Sequence, residues 1–321
     1  ITVNGQTGTG VAGSGNITAT GQAITITTRT TSGGSGIYTT GTITGGAVTL
    51  TSYKTSATAT LVHIAATGLI TANSLAVSTS GGTSATLVSL GAITINAGGG
   101  NIIVTANADA AGANTGIYQD GAIINNAVGS SIILTSNNII TQHGAISLVA
   151  NTGVPVANVI YDTTRGNKSS DITSGALTFT AGAGSVINFI AKSSGSAITT
   201  RAIGTSAIPL PGYALIDNSF GCATSACIPA SGYVVTGNAS TLATASAGAT
   251  ISGAIYTAGN INIKGLSSGA SGVTYAAAIR STGDAITLTG MSATTYGIYG
   301  STAASIVTAN STTAGLVRLT G

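Results

Sequence analysis

The chain has 321 residues, but only 5% of them are charged and 4% aromatic, and the net charge is +3. Nine basic residues spread singly along the chain cannot follow a phosphate backbone, which excludes nucleic acid as a partner. A hydrophobic content of 43% excludes a disordered chain, and polar residues and glycine interrupt every apolar run before the roughly 18 residues that a membrane-spanning helix needs.

Short strands in which apolar and polar residues alternate recur along the chain. They run over Ala23 to Thr28, Ala47 to Ser52, Leu75 to Ser80, Asn101 to Ala106, Ser131 to Ser136, Ala176 to Thr180 and Asp284 to Thr289. Alternation with a period of two places one set of side chains inside the fold and the other outside. The first five strands lie about 23 to 30 residues apart, which is typical of the coils of a solenoid.

Stacked coils explain the unusual composition. Successive coils of such a fold lie about 4.8 Å apart, so inward Ile, Val and Leu contact their equivalents in the next coil and outward Thr and Ser form ladders. Charged side chains would stack on like charges, and they are scarce for that reason. The sequence therefore predicts an all-β fold, a parallel β-helix or β-solenoid, with little or no α-helix.

A longer repeat is superimposed on these coils. The chain reads ITVNG at 1–5, TGQAITIT at 20–27 and GIY at 36–38, and later INIKG at 261–265, TGDAITLT at 282–289 and GIY at 297–299. The three offsets agree to within two residues. We predict that residues 1–260 form one long repeat copy and that residues 261–321 begin a second copy on the same solenoid, in a window on a longer array.

One segment, at about residues 201–241, breaks the rhythm of the strands. It holds three of the four prolines and both cysteines, and proline cannot donate a hydrogen bond within a sheet. We predict an excursion loop that leaves the wall of the solenoid. Cys222 and Cys227 are predicted to form a disulfide in an oxidising compartment, because a zinc site would need two more ligands and a redox pair would prefer two intervening residues.

The most polar stretch of the chain is the predicted loop that begins at Tyr161. It also contains Asp162, Arg165, Lys168 and Asp171. A solvated turn and a carbohydrate-contact loop are the two interpretations of this composition. Cleavage of a glycosidic bond would need two carboxyl groups about 5 to 10 Å apart, a distance that the sequence alone does not fix.

No pattern in the sequence predicts a catalytic residue, a metal site or a cofactor. The chain lacks the nonapeptide and loop motifs of calcium sites and the strand-to-helix context of a phosphate loop. His63 and His143 are predicted to be strand or turn residues, since no acidic partner or nucleophile motif lies near them.

The succession of AITIT-like strands with GIY and GAI turns resembles the repeat regions of very large bacterial exoproteins related to filamentous haemagglutinin, which are exported by two-partner secretion. The resemblance covers essentially the whole chain. It implies a right-handed parallel β-helix shaft, secretion to the bacterial cell surface or the medium, and a role in adhesion, aggregation or a biofilm matrix.

We therefore expect a non-enzymatic shaft or filament subunit. Its expected partners are copies of itself, joined end to end or laterally, and a surface polysaccharide or the surface of a host or neighbouring cell. The alternative is a β-helix that binds or cleaves polysaccharide. Ice binding through outward threonine ladders is a third interpretation, which the uneven spacing of the strands disfavours.

Overall fold

A computed structural model gives the structure of the chain. Every regular element in the described part of it is a β-strand, as the alternating segments predict, and no helix there is long and apolar enough to cross a membrane. The description covers residues 1–5, 10–30, 35–54, 62–64, 68–81, 86–107, 115–148, 158–163, 172–179, 186–192, 198–207, 214–220, 248–267, 270–282, 285–292, 295–301, 306–308 and 317–320.

The strands stack into three sheets, in which each strand pairs in parallel with its counterpart in the next coil. The first sheet has twelve strands in chain order: β1 Thr2–Gly5, β4 Ile24–Thr30, β7 Ala47–Lys54, β10 Ser74–Gly81, β13 Ile102–Asn107, β16 Ser131–Ser136, β19 Asn158–Asp162, β22 Val186–Lys192, β24 Ala214–Phe220, β27 Ile261–Ser267, β30 Ile286–Ser292 and β33 Val317–Thr320. This arrangement confirms the predicted parallel β-solenoid.

The second and third sheets close the coils. The second sheet has eleven strands: β2 Val11–Gly13, β5 Ile37–Thr39, β8 Val62–Ile64, β11 Thr86–Leu90, β14 Thr115–Gln119, β17 Ile139–Gln142, β20 Ile172–Thr173, β23 Ile198–Thr200, β25 Ala249–Ile251, β28 Val273–Tyr275 and β31 Ile298–Gly300. The third sheet has seven strands followed by three: β3 Ile17–Ala19, β6 Ile43–Gly45, β9 Leu69–Ala72, β12 Ala92–Ile95, β15 Ile123–Asn125, β18 Ile146–Leu148 and β21 Leu177–Phe179, then β26 Ile255–Thr257, β29 Ile279–Ser281 and β32 Ile306–Thr308.

The strands stay in register although the coils differ in length. Thr2 lies opposite Thr25, 23 positions along the chain, whereas Ile286 lies opposite Val317, 31 positions along. Buried residues nevertheless lie opposite buried residues through the core, as Ile26 and Leu50 do. The connections between the strands therefore absorb the differences in coil length.

Aliphatic side chains between the sheets form the core. In β16, Ile132 and Leu134 are buried while Ile133 and Thr135 are partly exposed, because alternate side chains point to opposite faces of a strand. Full burial of one such aliphatic side chain contributes about 1.5–3 kcal/mol. Tyr161 and Phe189 are the aromatic residues among the buried hydrophobic residues of the described chain.

The predicted excursion at about 201–241 is partly wrong. Within it, β24 belongs to the first sheet, and its residues Ala214 and Ile216 are buried. Ile203 also continues the wall, since it bridges β21 and β26 of the third sheet. Two apolar residues at alternate positions, Ala214 and Ile216, suit the buried face of a strand in spite of the prolines nearby. Residues 221–247 lie outside the described chain, so the disulfide between Cys222 and Cys227 stays a prediction.

The predicted second copy continues the same solenoid. Its first strand, β27, pairs with β24 before it and with β30 after it. Matching columns stack in the two places: Val3, Ile26 and Leu50 near the start, and Ile263, Leu288 and Leu319 near the end. That residues 261–321 begin a second copy of residues 1–260 stays a prediction.

Candidate functional site

At the corner between the second and third sheets, two successive coils carry one residue more than the coil before them and the coil after them. In the coil before them, β11 ends at Leu90 and the segment GAI at 91–93 follows directly. After β14, Asp120 stands before the same segment, and after β17, His143 does. The two corners therefore read QDGAI at 119–123 and QHGAI at 142–146.

These two added residues are neighbours because the strands before them are in register. Gln119 lies opposite Gln142, and the backbone N–H of His143 donates to the carbonyl of Gln119 at 2.8 Å. Asp120 and His143 consequently occupy equivalent places on adjacent coils, about one coil spacing of 4.8 Å apart.

Tyr118 completes a group that we term the corner cluster, consisting of Tyr118, Asp120 and His143. The hydroxyl oxygen of Tyr118 is 3.4 Å from Oδ1 of Asp120 and 3.4 Å from Nδ1 of His143. The distance between Asp120 Oδ1 and His143 Nδ1 is 3.8 Å. The Tyr118 and His143 rings meet edge to face, with centroids 5.4 Å apart. The His143 and Asp120 side chains are 43% and 45% exposed, so a ligand in solution can reach them.

The Tyr118 hydroxyl lies within hydrogen-bonding distance of both the Asp120 carboxylate and the His143 imidazole. Partial burial raises the pKa of that hydroxyl, and the negative charge of Asp120 and the hydrogen bond to it raise the pKa further. The hydroxyl has a single hydrogen to donate, to the carboxylate or to the imidazole nitrogen. The Tyr118 hydroxyl oxygen, Asp120 Oδ1 and His143 Nδ1 all carry lone pairs, and they lie within 3.8 Å of one another.

Two buried glutamines fix the corner from inside. Nε2 of Gln119 donates to the carbonyls of Gly91, at 3.3 Å, and of Gly121. Nε2 of Gln142 donates to the carbonyl of Gly144. Both side chains are almost completely buried, so these bonds form without competition from water.

Oε1 of Gln142 accepts two further hydrogen bonds. The Tyr161 hydroxyl donates to it at 3.2 Å, and the backbone N–H of Gly175 donates at 2.6 Å. The amide thereby links the corner of one coil to the next corner and to the core residue Tyr161.

Glycine is required at these corners. A Cβ at Gly121 would overlap the backbone of Ala92, and one at Gly144 would overlap the carbonyl oxygen of Gly121. The corner backbones of successive coils are therefore in direct contact. Together with the glutamines, this contact holds Asp120 and His143 in fixed positions.

The structure describes two residues of the predicted carbohydrate-contact loop, Tyr161 and Asp162, which point to opposite faces of β19. Tyr161 is fully buried, and burial raises the pKa of its hydroxyl. Its position in β19 places it in the core, so it is unable to contact a ligand outside, and its predicted role is wrong. Asp162 is half-buried and lies opposite Thr135 in the first sheet. Arg165, Lys168 and Asp171 lie outside the described residues.

Asp162 belongs to a column of the first sheet that contains three charged residues and one isoleucine. Ile190 lies opposite Asp162, Asp217 opposite Ile190, and Lys264 opposite Asp217. The two aspartate positions are therefore two coils apart, or about 9.6 Å at 4.8 Å per coil. This column was not predicted, because Asp162 and Asp217 are far apart along the chain.

Threonine pairs on the first sheet align over two coils. The positions Thr25 and Thr27 of β4 lie opposite Thr49 and Thr51 of β7. The corresponding residues are Ala76 and Ser78 in β10. In β13 they are Ile103 and Thr105. A regular two-column threonine array, as ice binding would use, ends after the second of these coils.

Sequence reasoning missed the corner cluster, because it assigned His143 to a turn and gave no role to Tyr118 and Asp120. The alignment of QDGAI with QHGAI is the signal that could have revealed it. Comparison with models of known protein families, with characterised proteins and with solved structures finds no match to this chain.

Proposed function

We propose that this chain is a section of a non-enzymatic extracellular shaft, which serves attachment of bacterial cells, their aggregation or a matrix. The observation that carries the proposal is the first sheet, which continues in parallel register through twelve strands. At about 4.8 Å per strand, this section is on the order of 50 Å long.

The composition suits such a role. Main-chain hydrogen bonds join each coil to the next on three sides, so the section resists bending and local opening along its length. A chain with 5% charged residues offers few groups for acid–base chemistry. The proposed partners are copies of the chain itself and the polysaccharide or protein surface of a cell.

Electron microscopy of the native material tests this function. Uniform fibres a few nanometres wide, with an axial period that matches one repeat copy, are the expected result. Small-angle scattering of the purified chain should give the profile of a rod. Discrete globular particles in both measurements would contradict the proposal.

A polysaccharide-binding or polysaccharide-cleaving protein is the second candidate, and the column with Asp162 and Asp217 favours it. Two coil spacings, or about 9.6 Å, separate the backbone positions of these residues, and glycosidases that invert configuration hold their carboxyl groups about 6.5–9.5 Å apart. Neutral and acidic polysaccharides should be screened for binding and for release of reducing ends. Loss of the signal in both Asp162→Asn and Asp217→Asn, with Asp120→Asn unaffected, would support this second function.

A further inference from the structure

The corner cluster has the dimensions of a metal site. The distances between its three donor atoms are 3.4, 3.4 and 3.8 Å. These distances define a triangle whose circumscribed centre is about 2.1 Å from each atom, which agrees with zinc–nitrogen distances of about 2.0–2.1 Å and zinc–oxygen distances of about 2.0–2.2 Å. The three atoms are therefore close enough together for one ion to contact all of them.

The donor types narrow the choice of metal. An imidazole nitrogen with a carboxylate and a phenol oxygen suits zinc or copper(II), whereas calcium takes six to eight oxygen ligands at about 2.3–2.6 Å. We propose that Tyr118, Asp120 and His143 form a three-ligand site for a divalent transition-metal ion, with Zn²⁺ as the first candidate. The site is independent of the shaft function proposed above.

This group differs from the metal sites for which sequence motifs exist. No three histidine, cysteine or acidic side chains come together in the part of the chain that the structure describes, and here the third donor is a phenol. The ligands come from two adjacent coils, because Asp120 and His143 are each added at the same corner. Gln119 and Gln142 hold the corner backbone from inside, so the donors are positioned before the ion arrives.

The exposure of the cluster leaves one side of the ion open. His143 and Asp120 are 43% and 45% exposed, so water occupies the remaining coordination positions. Three protein ligands with an open position leave the ion accessible from solution, unlike the closed four-ligand sites that stabilise small domains. We therefore expect a reversible site that a chelator empties without unfolding the solenoid.

Titration of the full chain with ZnCl₂, followed by calorimetry, tests the site. The expected result is one saturable site per chain, and His143→Ala and Asp120→Asn should each weaken binding about tenfold or more. Tyr118→Phe, which removes the phenol oxygen alone, should also weaken it. His63→Ala is the matched control for the loss of a histidine, and it should bind zinc as the original chain does. Replacement of both Cys222 and Cys227 by serine should leave binding unchanged.

A variant could lose zinc binding because it fails to fold. Spectroscopy on the unaltered chain identifies the ligands of the ion without any variant. X-ray absorption of the zinc-loaded chain should show nitrogen and oxygen donors at about 2.0–2.1 Å and no sulfur. The paramagnetic resonance spectrum of the copper-loaded chain should show coupling to a single imidazole. The proposal is overturned if no saturable site is found, if sulfur ligates the ion, or if His143→Ala and Asp120→Asn bind zinc normally while retaining the circular dichroism of the original chain.

Discussion

The ring of Tyr161 stacks on the ring of Phe189 in the next coil, with centroids 4.7 Å apart and planes inclined by 24°. The two residues lie opposite each other in β19 and β22, and both are fully buried. Their neighbours in the same column, Leu134 and Ile216, are aliphatic. This aromatic pair therefore fills the core of two coils where the coils on either side use smaller side chains.

Replacement of Phe189 by alanine should destabilise the chain strongly. The cavity and the loss of the ring contact are expected to lower the free energy of unfolding by about 3–5 kcal/mol. Urea unfolding followed by far-ultraviolet circular dichroism measures the change. Ile103→Ala is the control, because Ile103 is 40% exposed on the outside of β13, and its effect should be below about 1 kcal/mol. Equal losses in the two variants would contradict the assignment of the core.

Gln142→Leu tests the hydrogen bonds inside the corner. Leucine has a similar size but leaves the Gly144 carbonyl, the Gly175 N–H and the Tyr161 hydroxyl without their partner. Each buried group that loses its partner costs about 1–3 kcal/mol, so we expect a loss of at least about 3 kcal/mol in the same urea assay. Adding Tyr161→Phe removes one of the orphaned groups.

The double variant with Gln142→Leu and Tyr161→Phe should lose less stability than the sum of the two single variants, because the residues share a hydrogen bond. Strict additivity would show that this bond contributes nothing to stability.

Gly144→Ala should prevent normal folding of the corner, because the added methyl group would overlap the carbonyl oxygen of Gly121. Gly15→Ala is the matched control, since nothing lies within 4 Å of a Cβ at Gly15. The soluble yield and the thermal unfolding midpoint of the two variants provide the comparison. A Gly144→Ala chain with the yield and midpoint of the Gly15→Ala chain would refute the close contact between the corners.

Tyr161 should make the stability of the chain sensitive to alkaline pH. Burial raises the pKa of its hydroxyl, whereas the tyrosine of the unfolded chain ionises near pH 10. Its contribution is therefore fully present below about pH 10 and is lost as the pH rises above that value, by up to about 1.4 kcal/mol per pH unit.

The test compares urea unfolding at about pH 9 and about pH 11 in the original chain and in Tyr161→Phe. The variant is less stable at both values because it lacks a hydrogen bond, but its free energy of unfolding should fall less between them. The same fall in both proteins would mean that the hydroxyl ionises while the chain is folded.

The fold was predictable from the sequence because its inward side chains follow a period of two. Segments such as SIILTS at 131–136 specify both a strand and the face that it buries. The same rule could have placed Tyr161 in the core, since NVIYD alternates with Val159 inward, but the polar residues that follow directed attention to a loop. The strand β24 was missed because the prolines near it outweighed its own alternation.

The corner cluster was not predictable from local patterns, because its three donors come from two coils. Whether Asp120 meets His143 depends on the register of β14 and β17 and on a corner of equal length in both coils. A single motif does not show which coils are neighbours. The repeated GAI segments do, because each of them follows a strand of the second sheet. The column that contains Asp162 and Asp217 was not predictable for the same reason. The two residues lie two coils apart, with Ile190 on the coil between them.

Because the connections absorb the differences in coil length, the residues exposed at the corners can vary without a change in the pairing of the strands. A residue inserted at a corner changes what that corner presents to the surroundings, while the strands on either side keep their partners. Asp120 and His143 occupy corner positions that the coils directly before and after them lack. New chemistry can therefore arise on this scaffold one residue at a time, without rebuilding the core beneath it.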